Sequence, residues 1–255
     1  MRKVATIGIL GGMGPDATNR LAELIALVTP AVRDQDHVPV ITYNNPMIPS
    51  RVHAIMHGGE SPLGELLRTA QVLETAGAGL LVMPCNCAHY YVDEIQESVQ
   101  IPIVNMIEET VNHVIDTFPE ARKVGLLAST ATLASGLYHE PFARHDRIVL
   151  IPSLPDQQTK VMDAIYGPWG IKAGFRTKPR VLLFEAAQSL IDGGADLIIA
   201  GCTEISLVML RKRSSFPVVD PMDVVARVAV GRALAASDER QRMSCPQVPL
   251  TLVIA

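Results

Sequence analysis

The sequence predicts an α/β protein built from two similar, doubly wound lobes. Each lobe has a central parallel sheet, an internal pseudo-repeat relates the two, and the active site lies in the cleft between them. Two stretches carry this reading, Leu80-Leu81-Val82-Met83-Pro84-Cys85-Asn86-Cys87-Ala88-His89 and Leu197-Ile198-Ile199-Ala200-Gly201-Cys202-Thr203-Glu204. Each is an apolar run that ends at a cysteine followed by small polar residues, the pattern of a buried parallel strand. The cysteine then sits at the strand's C-terminal end, where open α/β sheets bind their ligands. The two cysteines are 117 positions apart, and the same offset matches Leu66 with Leu183, Ala70 with Ala187, Gly77 with Gly194 and Leu80 with Leu197. Unrelated βα units also share leucines and glycines, so chance and duplication are both open. Duplication puts one thiol in each half.

The remaining composition narrows the class. With 255 residues, 48% of them hydrophobic, the chain can bury a large core as one domain or two lobes. A net charge of −4 and only 4% aromatic residues argue against a nucleic-acid surface. No apolar stretch approaches a membrane span, and Met1-Arg2-Lys3 leads into a strand pattern rather than a signal peptide. The expected location is cytoplasmic. Thiols stay reduced there, so the four cysteines are not a disulfide framework.

Residues 4–10 form the first strand, and Gly11-Gly12-Met13-Gly14-Pro15-Asp16-Ala17-Thr18 turns into a helix, with Pro15 suited to its first turn. Gly12-x-Gly14-x-x-Ala17 fits the dinucleotide fingerprint. That fingerprint also needs an acidic residue after the second strand, whereas residues 38–43 run into Asn44-Asn45-Pro46. Without it, what remains is a set of backbone N–H groups suited to a carboxylate as well as a phosphate. Arg51 follows in a loop with two prolines. It is either a solvated surface arginine or a bidentate grip on a carboxylate.

Helices are expected over residues 64–75, 88–99 and 107–117, with strands at 77–83 and 101–104. The pattern then restarts, because Lys123-Val124-Gly125-Leu126-Leu127-Ala128 parallels residues 3–8 at an offset of 120. It runs into Ser129-Thr130-Ala131-Thr132, whose hydroxyls cap the next helix or bind the same anion. After a strand at 147–152 comes an irregular stretch, residues 152–180, with four prolines, three glycines and the only tryptophan, Trp169. Such a segment reads as a lid. Val161, Ile165 and Trp169 at helical spacing are expected to pack on the body, and Lys172 is either a snorkelling surface lysine or a ligand. A helix over 181–192, the second cysteine strand, a short strand at 218–219 and a helix over 221–236 complete the chain. The tail from Ser237 gives two readings, an edge strand or a packing arm. The N-terminal lobe is taken as residues 1–104 plus 217–255, and the C-terminal lobe as 105–216 with the lid at 152–180.

Two thiols facing each other across a cleft, each before a helix that favours the thiolate, suit stereoinversion: one removes an α-proton, the other delivers a proton to the opposite face. The rivals are buried structural cysteines, a zinc site from Cys85, Cys87, His89 and Cys202 with unusual spacing, and a lone nucleophilic Cys85 with His89 as base.

The residues also carry a resemblance. Gly8-Ile9-Leu10-Gly11-Gly12-Met13-Gly14-Pro15-x-Ala17-Thr18, Asn45-Pro46-x-Ile48-Pro49-x-Arg51, Pro84-Cys85-Asn86-x-Ala88-His89, Gly125-Leu126-Leu127-Ala128-x-Thr130-x-Thr132, Ile165-Tyr166-x-x-x-x-Ile171-Lys172-x-Gly174 and Gly201-Cys202-Thr203-Glu204 resemble the aspartate racemases of the aspartate/glutamate racemase family. The resemblance implies a cofactor-independent and metal-free enzyme of two α/β lobes, a homodimer acting on an acidic amino acid, aspartate or glutamate. It assigns Cys85 and Cys202 as the acid/base pair. Met13, Arg51, Asn86, Cys87, Thr130, Lys172 and Thr203 become substrate-binding residues, with His89 and Glu204 in support. Cys87 departs from the family's usual Thr, Ser50 from an acidic residue and Ser129 from Thr. Other activities of the superfamily (hydantoin racemisation, decarboxylation, cis–trans isomerisation) and a non-catalytic dicarboxylate-binding protein are the alternatives.

Overall fold

The computed structural model describes residues 4–209 and 214–244. Its first half runs β1 (Ile7–Gly11), α1 (Pro15–Val28), β2 (Val40–Asn44), α2 (Arg51–His57), α3 (Leu63–Thr75), β3 (Leu80–Val82), a 3₁₀ turn (Cys87–Tyr91), α4 (Val92–Glu97), β4 (Ile103–Val104) and α5 (Met106–Thr117). The second half runs β5 (Lys123–Leu127), α6 (Thr130–Ala134), α7 (His139–Ala143), β6 (Ile148–Leu150), α8 (Leu154–Asp156), a π-helical turn (Gln157–Met162), α9 (Asp163–Tyr166), a 3₁₀ turn (Ile171–Ala173), α10 (Thr177–Asp192), β7 (Leu197–Ala200), α11 (Thr203–Ser206), β8 (Val218–Val219) and α12 (Pro221–Ser244).

Two four-stranded sheets form, in the orders β2-β1-β3-β4 and β6-β5-β7-β8, with every pairing parallel. These orders are the same one written twice. The central strands β1, β3 and β7 are buried along their whole length, as continuous apolar runs in a sheet covered on both faces must be. The edge strand β2 has no fully buried residue.

The registers sharpen the repeat. Ile7 pairs with Leu80 and Val124 with Leu197, so the first strands match at an offset of 117, like the cysteine strands, and not at 120. The Lys-Val pair that suggested 120 is a three-residue slip. Gly8 and Gly125 show the physical sense of the corrected register. A Cβ on Gly8 would lie 2.7 Å from Leu81 Cδ2 and 2.8 Å from the Ala78 Cβ, and one on Gly125 2.5 Å from Ile198 Cδ1 and 3.2 Å from the Ala195 Cβ. Only a missing side chain lets either strand approach its neighbour so closely.

Several local expectations change. Arg51 is the first residue of α2, not a loop residue, because the Ser50 hydroxyl accepts from the His53 N–H and caps the helix. The segment 152–180 is mostly helical. Two of its four prolines open helices instead of breaking them: Pro155 follows the Ser153 cap of α8, and Pro179 lies in the first turn of α10. Val161 and Ile165 are buried as expected, but Trp169 is 57% exposed and stands edge-on to Phe175 at 5.0 Å. The boundary drawn at residue 217 moves to Asp220, since β8 pairs with β7. Helix α12 continues past residue 236, and the apolar end at 250–255 lies outside the described residues.

Each lobe's fourth strand hands its helix to the other lobe. Asn105 caps α5 by accepting from the Ile107 and Glu108 N–H groups, and Asp220 caps α12 by accepting from Met222 N–H. Ile107, Val111 and Val114 of α5 pack with Val124, Leu126 and Leu197 of the second sheet. Met222, Val225, Ala226 and Ala229 of α12 pack with Ile7, Ile9 and Leu80 of the first.

Candidate active site

The C-terminal ends of the strands in both sheets open onto one small cavity, lined by Met13, Arg51, Val52, Cys85, Asn86, Cys87, Ser129, Thr132, Tyr166, Gly201, Cys202, Thr203 and Glu204. Its volume is about 20 Å³, room for little more than one water. Eight of the residues singled out from the sequence meet here. Both lobes contribute, and a hydrogen bond joins the two cysteine loops across the cleft, from Thr203 Oγ1 to the Pro84 carbonyl at 3.2 Å.

At the corrected offset, Cys85 corresponds to Cys202, Asn86 to Thr203 and Cys87 to Glu204. The two thiols therefore stand in equivalent places with different neighbours. Cys202 donates to Glu204 Oε2 at 3.0 Å, and the other carboxylate oxygen of Glu204 is ion-paired with Lys172. Burial, then the Glu204 charge, pushes the Cys202 thiol well above its ordinary value, with Lys172 pulling the other way. This thiol is protonated at neutral pH. Cys85 instead faces a cation: burial opposes the Arg51 charge, and the sulfur of Cys85 is the foremost of the groups that sustain it. Arg51 Nη1 donates to the carbonyls of Ile48 and Pro49 at 3.2 and 2.8 Å, Nη2 donates to that of Met13 at 3.2 Å, and Nε is buried without a partner. The guanidinium is thus fixed by the turn after β1 and the loop after β2. Cys87, the third thiol, is pushed up to about 12 by burial and by Cys85, so it stays neutral.

His89 does not serve as a base. Its Nε2 accepts the Met106 N–H at 3.1 Å, so the proton sits on Nδ1, which donates to the Cys85 carbonyl at 2.9 Å. Both nitrogens are spent on backbone, and burial holds the ring neutral, with its value pushed down to about 4. The imidazole ties the Cys85 loop to the start of α5, and it has no lone pair to offer a metal.

Besides His89, two predicted residues stand apart from the cavity wall. Thr130 Oγ1 accepts from Gln157 Nε2 at 3.4 Å, and the residues of its loop that line the cavity are Ser129 and Thr132. At the corrected offset Ser129-Thr130-Ala131 is the counterpart of Gly12-Met13-Gly14, and Met13, unlike Thr130, lines the cavity. Lys172 lies behind Glu204, and its Nζ is 5.6 Å from the centre of the Tyr166 ring. Tyr166 and Val52 were not singled out as site residues from the sequence, while Ser129 and Thr132 entered only as members of the hydroxyl-rich loop after β5. Tyr166 stood in a quoted motif, while Val52 carries no signal beyond following Arg51.

A cleft between two α/β lobes with an equivalent thiol on each wall defines a class of enzyme. The chain belongs to the Asp/Glu/Hydantoin racemase family, whose sequence profile matches residues 10–229. It is 26% identical over 233 residues to the broad specificity amino-acid racemase RacX of Bacillus subtilis (strain 168), covering 90% of this chain and 98% of that protein. Among solved structures, the Picrophilus torridus aspartate racemase aligns with a TM-score of 0.76 and 28% identity, over 91% of this chain and 94% of that one. A glutamate racemase from Francisella tularensis shares the fold at a TM-score of 0.66 and 17% identity, over 94% and 83% of the two chains. Among the described residues, no helix is long and apolar enough to cross a membrane.

Proposed function

We propose that this chain racemises an acidic amino acid, aspartate or glutamate, without pyridoxal phosphate, using Cys85 and Cys202 on opposite faces of the α-carbon. One observation carries the reading: equivalent thiols wall a single cavity, one beside the cation Arg51 and the other beside the carboxylate Glu204. A two-base inversion needs one acid/base group on each face of the α-carbon, and two thiols on the walls of one cavity supply them.

The Cys85 thiolate takes the α-proton of one enantiomer, and the Cys202 thiol gives its proton to the opposite face. The reverse direction needs Cys202 as thiolate. Glu204 is already hydrogen-bonded to accept its proton, and Lys172 favours the resulting charge. The buried donors at the cavity wall, Arg51 Nε and Asn86 Nδ2, have no partners and suit carboxylate oxygens, where negative charge builds as the α-proton leaves. Water exclusion by the closed cleft strengthens each of these interactions. Lys172 suits the second carboxylate once it is shared with Glu204. The reduced thiols that this chemistry requires support a cytoplasmic location, and the family resemblance supports a homodimer, which light scattering on purified protein tests.

A second reading has support in Met13, Val52 and Cys87, which make part of the wall apolar, and in the broad specificity of the Bacillus relative. In this reading the side chain need not be charged. Chiral chromatography of both enantiomers of aspartate, glutamate and a panel of neutral amino acids separates the two. The expected result is conversion of aspartate or glutamate, lost by about 10²–10⁴-fold or more in both Cys85→Ala and Cys202→Ala. Either variant keeps at most exchange of the α-proton of one enantiomer. Near-normal turnover in either variant would overturn the two-base scheme, and equal turnover of neutral amino acids would favour the second reading.

A further inference from the structure

Asn86 lines the cavity with 2% of its surface exposed, and its Nδ2 has no hydrogen-bond partner. A buried amide nitrogen left unpaired is costly unless a ligand completes it. The other end of the same amide is not free. Asn86 Oδ1 accepts from the Tyr138 hydroxyl at 2.5 Å. That separation suits O–H···O and is too short for N–H···O, so it fixes which end of the amide faces the phenol.

Tyr138 comes from the other lobe, where it precedes α7. It is fully buried and stacked on Phe142, with ring centroids 6.4 Å apart and planes 19° from parallel. The ring is therefore held by the second core, while its hydroxyl reaches across to a residue of the first cysteine loop. Nothing in the sequence marks it, since it stands 52 positions from Asn86 and outside every motif.

We propose that Tyr138 is a positioning residue: it locks the Asn86 amide with Nδ2 aimed into the cavity, ready to donate to a carboxylate oxygen of the substrate. This rests on the racemase reading for the identity of the ligand, but the geometry requires only a carboxylate. A phenol from one lobe that orients a donor on the other also makes this hydrogen bond depend on the lobes being correctly apposed.

The test is a double-mutant cycle on the full chain with Tyr138→Phe, Asn86→Ala and the double variant. It reads succinate affinity by calorimetry alongside racemisation. Tyr138→Phe keeps the stacked ring, and thermal melting checks each fold. Both single variants are expected to weaken succinate by about tenfold or more, with no further loss in the double variant. Asn86→Asp keeps an acceptor for the phenol but offers no donor, so it should bind succinate as poorly as Asn86→Ala while melting nearer to wild type. Unchanged affinity in Tyr138→Phe, or an equal loss in both backgrounds, would overturn the proposal. Wild-type protein that racemises nothing yet shows the expected succinate pattern would sink the activity and leave the positioning intact. Protein that neither racemises nor binds succinate would sink both.

Discussion

Cys202 and Glu204 are joined by a hydrogen bond of 3.0 Å from thiol to carboxylate, between residues two apart on the turn that closes β7. Burial and that carboxylate both disfavour the thiolate, and Lys172 favours it. Replacing Glu204 by Gln removes the negative neighbour and releases the full charge of Lys172, so both changes act in one direction. Cys202 should then ionise roughly one pH unit or more lower. Thiolate absorbance near 240 nm, followed against pH in a Cys85→Ser background, reads this directly. Lys172→Met should move the same titration upward. A Cys202 titration that did not respond to either change would remove Glu204 from the acid/base machinery.

Arg51 is held by three backbone carbonyls, two in its own loop and one in the turn after β1. A planar fork with several donors meets that arrangement, and an ammonium does not. Arg51→Lys is therefore expected to behave nearly as badly as Arg51→Ala. Each should cost about 2–5 kcal/mol of dicarboxylate binding, the usual cost of a desolvated charge left without its partner. Inhibition constants for succinate measure it, and a Lys variant with wild-type affinity would show that charge alone suffices.

His89 predicts a pH dependence of stability. Its folded value of about 4 lies below the ordinary 6.5, so the unfolded chain binds the extra proton between those limits. The contribution of the neutral ring is present above pH 6.5 and is lost as pH falls toward 4. The loss is at most on the order of 3 kcal/mol. Urea unfolding at pH 7 and pH 4.5 should show wild type losing more stability than His89→Gln, which has no such proton to take up. Parallel losses in the two proteins would mean that His89 is not buried neutral.

A cavity of about 20 Å³ cannot admit an amino acid, which is several times the size of the water it could hold. Substrate entry is therefore expected to open the cleft, with residues 152–180 as the moving part. They bring Tyr166 to the cavity and Lys172 to Glu204, while the exposed Trp169 rests edge-on against Phe175. Succinate should change Trp169 fluorescence saturably, and Lys172→Ala should blunt the change. A signal that stayed constant through saturation, with binding proved by calorimetry, would assign the opening to the lobes instead.

The sequence displayed what repeats and hid what crosses over. Both cysteine strands, the two lobes and the glycine-rich turn were legible because period and punctuation are local properties. Residues 152–180 were misread because proline was counted as a breaker, when Pro155 and Pro179 sit in first turns that tolerate it. The hydroxyl-rich loop after β5 was legible as a candidate anion site, but the resemblance picked out Thr130 where Ser129 and Thr132 line the cavity. Separately, the repeat offset of 120 was a slip of three residues that only strand pairing could correct. The Tyr138–Asn86 contact depends on how the second lobe packs against the first, and no window of sequence contains it.

The exchange of α5 and α12 between the lobes bears on how such a molecule can be cut. A half-chain ended after α5 would carry a helix whose apolar face has no sheet beneath it, because Ile107, Val111 and Val114 belong to the second core. Its own sheet would lack the cover that Met222, Val225 and Ala226 supply. Two such halves satisfy each other, each lending the helix that the other is missing. The full chain is thus a swapped pair joined end to end. Neither half expressed alone should give a folded monomer, but the two halves made as separate polypeptides should find one another and rebuild the cleft.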